Sequence, residues 1–305
     1  MTTPEPSRST ESDVRHAPVL VAEVLTILAP EPGGVYVDAT LGLGGHTAAL
    51  LAAGAGRVIG IDRDPHALGL ARMRLEADRD RVEFVHADYR ELPAVLGRLN
   101  VTAVAGILAD LGVSSMQFDD AARGFSFRAS GPLDMRMDSS RGQTLAERLA
   151  GIDETTLADV IWRFGEERRS RRVARSILAA RDRGELSTTV ALASAVRRGV
   201  GGGEWQRIDP ATRTFQALRI WVNGELDGLD QFVADAAGML RPGGRLAVIA
   251  FHSLEDRIVK HTMRRLAAAD TVRLVMKRPM GPGDAEVAAN PRARSAKLRA
   301  VERVA

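Results

Sequence analysis

The 305-residue chain has no cysteine, which excludes disulfides, thiolate metal sites and iron–sulfur clusters in one step. The same absence argues against a cysteine nucleophile working on a pyrimidine ring carbon and against a radical enzyme with a cysteine-held cluster. Aromatic residues are scarce, at 4%. No apolar run approaches the roughly 18 residues that a membrane span needs, so no transmembrane segment is expected. The first fifteen residues, MTTPEPSRSTESDVR, carry two prolines and no apolar stretch. They read as a disordered tail over 1–15 and not as a secretory signal, which sets the expectation of a cytoplasmic protein. The six histidines are scattered and the acids lack ligand spacing, so no metal site is expected.

What is present describes an ordinary soluble globular chain, 45% hydrophobic and 27% charged. Its length suits one large domain with a sizeable insertion, or two domains of ordinary size. The net charge of +3 is small but unevenly placed: from Arg257 to Ala305, twelve Lys or Arg stand against four Asp or Glu. Such asymmetry suits a polyanionic partner, although an arginine-rich composition also scatters arginine over solvated faces.

From Val35 to Leu111 short apolar runs alternate with helical stretches: VYVDAT, GGHTAALLAAG, RVIGID, PHALGLARMRLEA, VEFVHAD, ELPAVLGRL and VAGILADL. Continuous apolar runs alternating with helices predict an α/β fold with a parallel, doubly wound sheet. Each strand ends near an acid, at Asp38, Asp62, Asp88 and Asp110. Two readings stand for each: a helix cap, or a group facing the crevice beyond the strand ends where ligands of such sheets bind. After Leu111 comes a loop rich in glycine and arginine, then helices only. Ile152 to Phe164 forms one, Val173 to Ala180 a second, Ser187 to about Gly199 a third, and a fourth follows Asp209 as cap with Pro210 at its first position. The strand pattern resumes with GLDQFVADAAGMLRPGGRLAVIAF, a helix from Leu254, a strand VRLVMKRP and a last strand AKLRAVERV. The late strands suit an antiparallel edge. The expected division is one sheet domain over 16–118 and 224–305, with an inserted all-helical domain over 119–223.

The first loop, Asp38-Ala-Thr-Leu-Gly-Leu-Gly-Gly-His46, places Gly42, Gly44 and Gly45 between a strand and a helix start. The dinucleotide fingerprint would need glycine at 47, which is Thr, so a pyrophosphate loop is disfavoured. Asp62 follows Gly42 by 20 residues, where an acid can accept hydrogen bonds from ribose hydroxyls. A nucleoside without pyrophosphate is what S-adenosylmethionine presents, with adenine near Asp88 and Tyr89. Tyr89 also reads as an ordinary half-buried aromatic, and His46 as a helix-start residue.

Segment after segment resembles the bacterial ribosomal RNA small subunit methyltransferase H family: HAPVLVAEVL from His16, DATLGLGGHT from Asp38, GIDRDPHAL from Gly60, DLGVSSMQFDDAARGFSFRASGPLDMRMD from Asp110, FGEER from Phe164, ATRTFQALRIWVN from Ala211, FHSLEDRIVK from Phe251 and NPRARSAKLR from Asn290. The resemblance covers the chain after residue 15. It implies a class I, Rossmann-like methyltransferase fold, S-adenosylmethionine as cofactor, and methylation of the exocyclic N4 of a cytidine in the decoding region of 16S ribosomal RNA in the small subunit. Carried over by position, cofactor contacts fall on Gly44, Gly45, His46, Asp62, Tyr89 (where relatives often have Phe), Asp110 and Gln117.

That chemistry asks a site to accept a hydrogen bond from an amino group whose lone pair is conjugated into the ring, and to align it with the methyl. Other amino methyltransferases place Pro-Pro-aromatic after the fourth strand; here the stretch is Asp110-Leu-Gly-Val113. Asp110 is the expected orienting group, with Phe125, Phe127 or Trp162 holding the base. A flipped or single-stranded target is required. From Arg163 to Arg183 eight arginines stand against three acids, and Arg168, Arg169 and Arg172 are the candidate RNA contacts beside the reading of a solvated face. His252 is a weaker catalytic candidate, and Ser253 reads as a helix start capped by the acid three residues on. A methyltransferase on another substrate, a non-catalytic RNA-binding factor and a nicotinamide enzyme stay as alternatives.

Overall fold

The computed structural model describes residues 18–201 and 209–304; the expected tail over 1–15 lies outside the described residues. The chain divides into two compact units, Val113–Asp227 and the remainder on either side of it, against 119–223 read from the sequence for the insertion.

The first unit begins with α1 (Val21–Leu28), then β1 (Val35–Asp38), α2 (Gly45–Ala52), β2 (Arg57–Asp62), α3 (Pro65–Arg74), β3 (Val82–His86), α4 (Leu92–Arg98) and β4 (Val104–Asp110). Helix α3 starts where the reading of Pro as a first helical residue would put it, with Asp64 as cap accepting the His66 amide at 3.0 Å. Six of the seven residues of β4 are buried, which is why its sequence shows no alternation.

The second unit holds α5 (Ser115–Asp119), α6 (Leu145–Ala150), α7 (Glu154–Gly165), α8 (Ser170–Asp182), α9 (Thr189–Val200) and α10 (Ala211–Asn223), and no strand among the described residues. Thr188, not Ser187, caps α9, its hydroxyl accepting the Ala191 amide at 3.2 Å. Helix α10 starts at Ala211 with Pro210 in the cap position, one residue later than read, and Asp209 accepts the Ala211 amide at 2.9 Å. Phe125, Leu133, Met135 and Met137 from the stretch read as a loop are buried with the apolar faces of α7 to α10. Asn223 pins that stretch: it accepts the Met137 amide at 2.7 Å and donates to the Met135 carbonyl at 2.8 Å.

The chain then returns to the first unit with α11 (Leu229–Gly238), β5 (Leu240–Ala250), α12 (Ser253–Ala268), β6 (Val272–Leu274), α13 (Asp284–Ala289) and β7 (Lys297–Arg303). The sheet has seven strands in the order β3-β2-β1-β4-β5-β7-β6. β1 to β5 pair in parallel, Val37 beside Ile59 and Ile107, and Leu108 beside Ala247. β7 runs antiparallel to both β5 and β6, giving the antiparallel edge with β7 inside it. This is the doubly wound, mostly parallel α/β sheet that the strand and helix pattern predicted. The direction of chain progression reverses between β1 and β4, and such a switch point is where these sheets bind ligands.

Candidate functional site

Asp38 closes β1 with its side chain buried. It accepts the Thr47 hydroxyl at 2.8 Å and the Thr40 amide at 3.3 Å. Thr40 in turn accepts the Asp110 N–H on its hydroxyl oxygen at 2.6 Å. The acid at the end of β1 therefore holds, through one threonine, the backbone of the acid at the end of β4, across the switch point. Burial raises the Asp38 carboxyl above its ordinary range against the pull of His46 and the two threonines.

The glycine turn follows. Gly44 has φ of 75°, and a Cβ there would lie 2.7 Å from Leu75 Cδ1, so both conformation and space require glycine. Gly45 opens α2 against Pro18. This sets buried His46 with Nε2 3.5 Å from Asp110 Oδ2. Burial works against its charge, yet the Asp110 carboxylate, helped by Asp38 and Glu286, outweighs it and lifts the imidazole above its ordinary value. Both ring nitrogens of His46 and Asp110 Oδ1 are buried without a hydrogen-bond partner among the described residues. Buried polar atoms are normally satisfied, so this corner fits a polar ligand group.

Asp62 closes β2. Its Oδ2 accepts the Gly42 amide at 2.7 Å and its Oδ1 the Asp64 amide at 2.8 Å, and each oxygen keeps a second lone pair for hydroxyl donors. Burial has pushed its carboxyl up to about 6, against those amide bonds.

At the end of β3 the cap reading holds, Asp88 accepting the Arg90 amide at 3.0 Å. Asp88 does not present a free carboxylate: Arg90 binds it twice at 2.7 Å and Arg63 lies 3.6 Å away. Burial opposes its charge, but these arginines hold its carboxyl below the ordinary range. Tyr89 is buried, its ring centroid 4.6 Å from that of Phe232 on α11. His252 follows β5 and caps α12, its Nδ1 accepting the Glu255 amide at 3.4 Å and its Nε2 3.1 Å from Glu255 Oε1. The cap is thus His252 and not Ser253, because the Glu255 carboxylate, accepting the amides of Phe251 and His252, anchors the turn one residue earlier.

In the second unit Gln117 is buried and completes a capping box, its Oε1 accepting the Ser114 amide at 3.2 Å. Phe125 lies in the core, and Phe127 packs edge-on against Phe215 at 4.8 Å. Trp162 is 54% exposed. Of the three aromatics named as base holders, Phe125 is buried in the core, Phe127 is packed on Phe215, and Trp162 is exposed. Arg168, Arg169 and Arg172 are exposed around the start of α8. Arg169 donates to the Val200 carbonyl. Later arginines of the run are ion-paired, Arg175 with Glu154, Arg181 with Asp182 and Arg183 with Glu185, which gives that part the solvated-face reading.

Sequence reasoning missed Thr40 and Thr47. Their signal was the DATLGLGGHT run itself, where two hydroxyls flank the glycine turn at positions that a buried Asp38 could use.

Residues 13–304 match the MraW methylase family. The chain belongs to that family. It is 57% identical over 290 residues to ribosomal RNA small subunit methyltransferase H of Sorangium cellulosum, covering 95% of this chain and 91% of the relative. The protein of the same name from Nitrobacter winogradskyi is 52% identical over 308 residues, with 96% and 92% covered. A crystal structure of an rRNA methylase from Streptococcus thermophilus aligns at a TM-score of 0.40 and 12% identity, covering 99% and 100% of the two chains. As a member of the MraW methylase family the protein uses S-adenosylmethionine as cofactor, and the unsatisfied atoms of His46 and Asp110 and the spare lone pairs of Asp62 fit its polar groups.

Proposed function

We propose that the protein methylates the exocyclic N4 of a cytidine in the decoding region of 16S ribosomal RNA, within the small subunit. The observation that carries this reading is the buried His46–Asp110 pair at the switch point, with Asp110 Oδ1 unsatisfied, in a chain whose relatives are named for the RNA of the small ribosomal subunit.

The bound cofactor supplies an electrophilic sulfonium methyl. An exocyclic amine is a poor nucleophile, so the protein's part is to accept a hydrogen bond from it, align it and exclude water. Asp110 is suited to that role: Thr40 fixes its backbone, His46 lies beside one carboxylate oxygen, and the other is a buried acceptor with no hydrogen-bond partner among the described residues. In this reading Asp62 accepts the ribose hydroxyls, the Gly44–Gly45–His46 turn faces the amino acid part, Tyr89 offers stacking area, and Gln117 also contacts the cofactor. His252 keeps a structural role as the cap of α12. Trp162 is the aromatic face available to a flipped base, and Arg168 and Arg172 are available to phosphates.

The test is transfer of labelled methyl from S-adenosylmethionine to small ribosomal subunits lacking this modification, followed by nucleoside analysis. Label in N4-methylcytidine is expected. Label in another nucleoside, or none in subunits or naked RNA despite cofactor binding, refutes the reading.

A further inference from the structure

The C-terminal cations divide sharply once their partners are known. Arg273 pairs with Glu302, Lys297 and Arg299 both reach Asp256, and Arg303 donates to the Ala237 carbonyl. Others have no acidic partner among the described residues: Lys260, Arg264 and Arg265 on α12, and Lys277 and Arg278 just after β6. All are exposed except Lys260, which is half-buried.

Helix α12 buries Glu255, Val259, Thr262 and Met263. Its opposite face carries Arg257, His261, Arg264 and Arg265, with Lys260 on the flank, and from Arg257 to Ala268 the helix contains no acid. This is unlike α8, where acids neutralise the later arginines. A solvated helix face ordinarily mixes signs, and a face of one sign is repulsive unless an anion covers it.

Topology brings the second cation pair to the same edge of the sheet. Helix α12 leaves the carboxyl end of β5 and packs on β6 and β7. The Val275 amide bonds to Ala300 and that of Met280 to Leu298, so Lys277 and Arg278 run beside a stretch of β7 that pairs with Ala247 and Ile249 of β5. That places them toward the carboxyl end of the sheet, where Asp110 ends β4. The exposed apolar side chains here, Leu274, Val275 and Met280, are flanked by the cations Arg273, Lys277 and Arg278, which suits a nucleic acid surface better than a bilayer.

We propose that the α12 face and the segment after β6, through Lys260, Arg264, Lys277 and Arg278, form a phosphate-binding track for single-stranded or looped RNA on the sheet unit itself. The proposal rests on the rRNA reading above, and it names a surface separate from the arginines of the second unit.

Each cation that neutralises a phosphate of single-stranded RNA contributes about 0.7 to the slope of log affinity against log salt. At about 0.15 M salt that is roughly 0.6 decade per contact, so four contacts are worth about two decades. The experiment uses the full chain and unmodified 16S RNA transcript, titrated by fluorescence anisotropy over a range of salt, for the wild type and for Lys260→Ala/Arg264→Ala/Lys277→Ala/Arg278→Ala. The expected result is a slope shallower by about 3 and affinity about a hundredfold weaker near 0.15 M salt, with S-adenosylmethionine affinity unchanged. The charge-keeping set Lys260→Arg/Arg264→Lys/Lys277→Arg/Arg278→Lys is expected to bind like wild type. If the fourfold variant misfolds, Lys277→Ala/Arg278→Ala alone should show half of the slope change. An unchanged slope, or weakening as large in the charge-keeping set, overturns the track. So does loss of binding to phosphatidylglycerol vesicles with RNA binding intact. If the wild type methylates subunits while the slope is unchanged, only this inference falls; if the wild type has no RNA affinity, the rRNA reading falls with it.

Discussion

Replacing Asp62 by Asn separates two effects of opposite sign. In the folded chain its carboxyl is pushed up to about 6 from an ordinary 3.8. Between those values the folded state holds more protons than the unfolded state, so the stability carried by the protonated form is fully present below 3.8 and is lost as pH rises through about 6. The gap of about 2 units corresponds to about 3 kcal/mol at 1.36 kcal/mol per unit; with solvent reaching the half-buried side chain, about 1–3 kcal/mol is expected. Ribose hydroxyls are donors and favour the charged carboxylate, so cofactor affinity should move the other way. It should weaken about tenfold per pH unit below about 6 and level off above it.

The assays are denaturant unfolding of the cofactor-free chain and calorimetric titration with S-adenosylmethionine, each from about pH 4.5 to 7.5. Asp62→Asn cannot ionise, so the wild-type curve should lose stability relative to the variant as pH rises, and gain cofactor affinity relative to it. Asp38 and His46 are also raised by their surroundings, but they are common to both proteins and cancel in the difference. Stability curves that run parallel would refute the burial argument, and equal affinity at pH 7.5 would refute the ribose contact.

Thr40→Val removes the acceptor of the Asp110 N–H; methyl transfer should fall at least tenfold with cofactor affinity nearly intact, and Thr40→Ser should restore it. Asp110→Asn should lower both turnover and the titration midpoint of His46 followed by NMR, since Asp110 is the main group holding that imidazole up. Asn223→Ala should lower unfolding stability by about 2–3 kcal/mol in denaturant titrations, because the Met137 amide and the Met135 carbonyl lose their partner. Arg168→Glu/Arg172→Glu should weaken RNA binding in anisotropy titrations and leave cofactor binding unchanged; Arg169 is left in place because it holds Val200.

The central strands were legible because strands covered on both faces are apolar throughout, and the helices of the second unit because each shows one apolar stripe between clear caps. The order of the last strands was not. β6 and β7 both read as strands, but which is the edge depends on what packs against each, and only Val272 of β6 is buried. The stretch between Asp119 and Thr144 read as a loop because it has neither helical nor strand period. Its ordering comes from Asn223, 86 residues away from Met137, and from Arg123, which donates to the carbonyls of Arg136 and Met137. Contacts at that separation leave no local pattern. The helix after β5 was assigned to a Ser253 cap on propensity, and the buried Glu255 overrode it by one residue.

The four strand-end aspartates show where the sequence stops being informative. They look alike in sequence, yet each meets different partners: Asp38 two threonines, Asp62 two loop amides, Asp88 two arginines, Asp110 a buried histidine. Those partners set what each can do. Arginines saturate Asp88 and fix it as a structural anion, while burial leaves Asp38 able only to hold its neighbours in place. Asp38 and Asp62 each take one donor per carboxylate oxygen, but Asp38 is buried while Asp62 is half-buried and can still be reached by a ligand, and Asp110 keeps one oxygen without a partner among the described residues. A binding acid is thus separated from a scaffolding acid by lone pairs that its own fold leaves both unspent and within reach of a ligand, and that appears only once residues as distant as Thr40 and Asp110 have been brought to 2.6 Å.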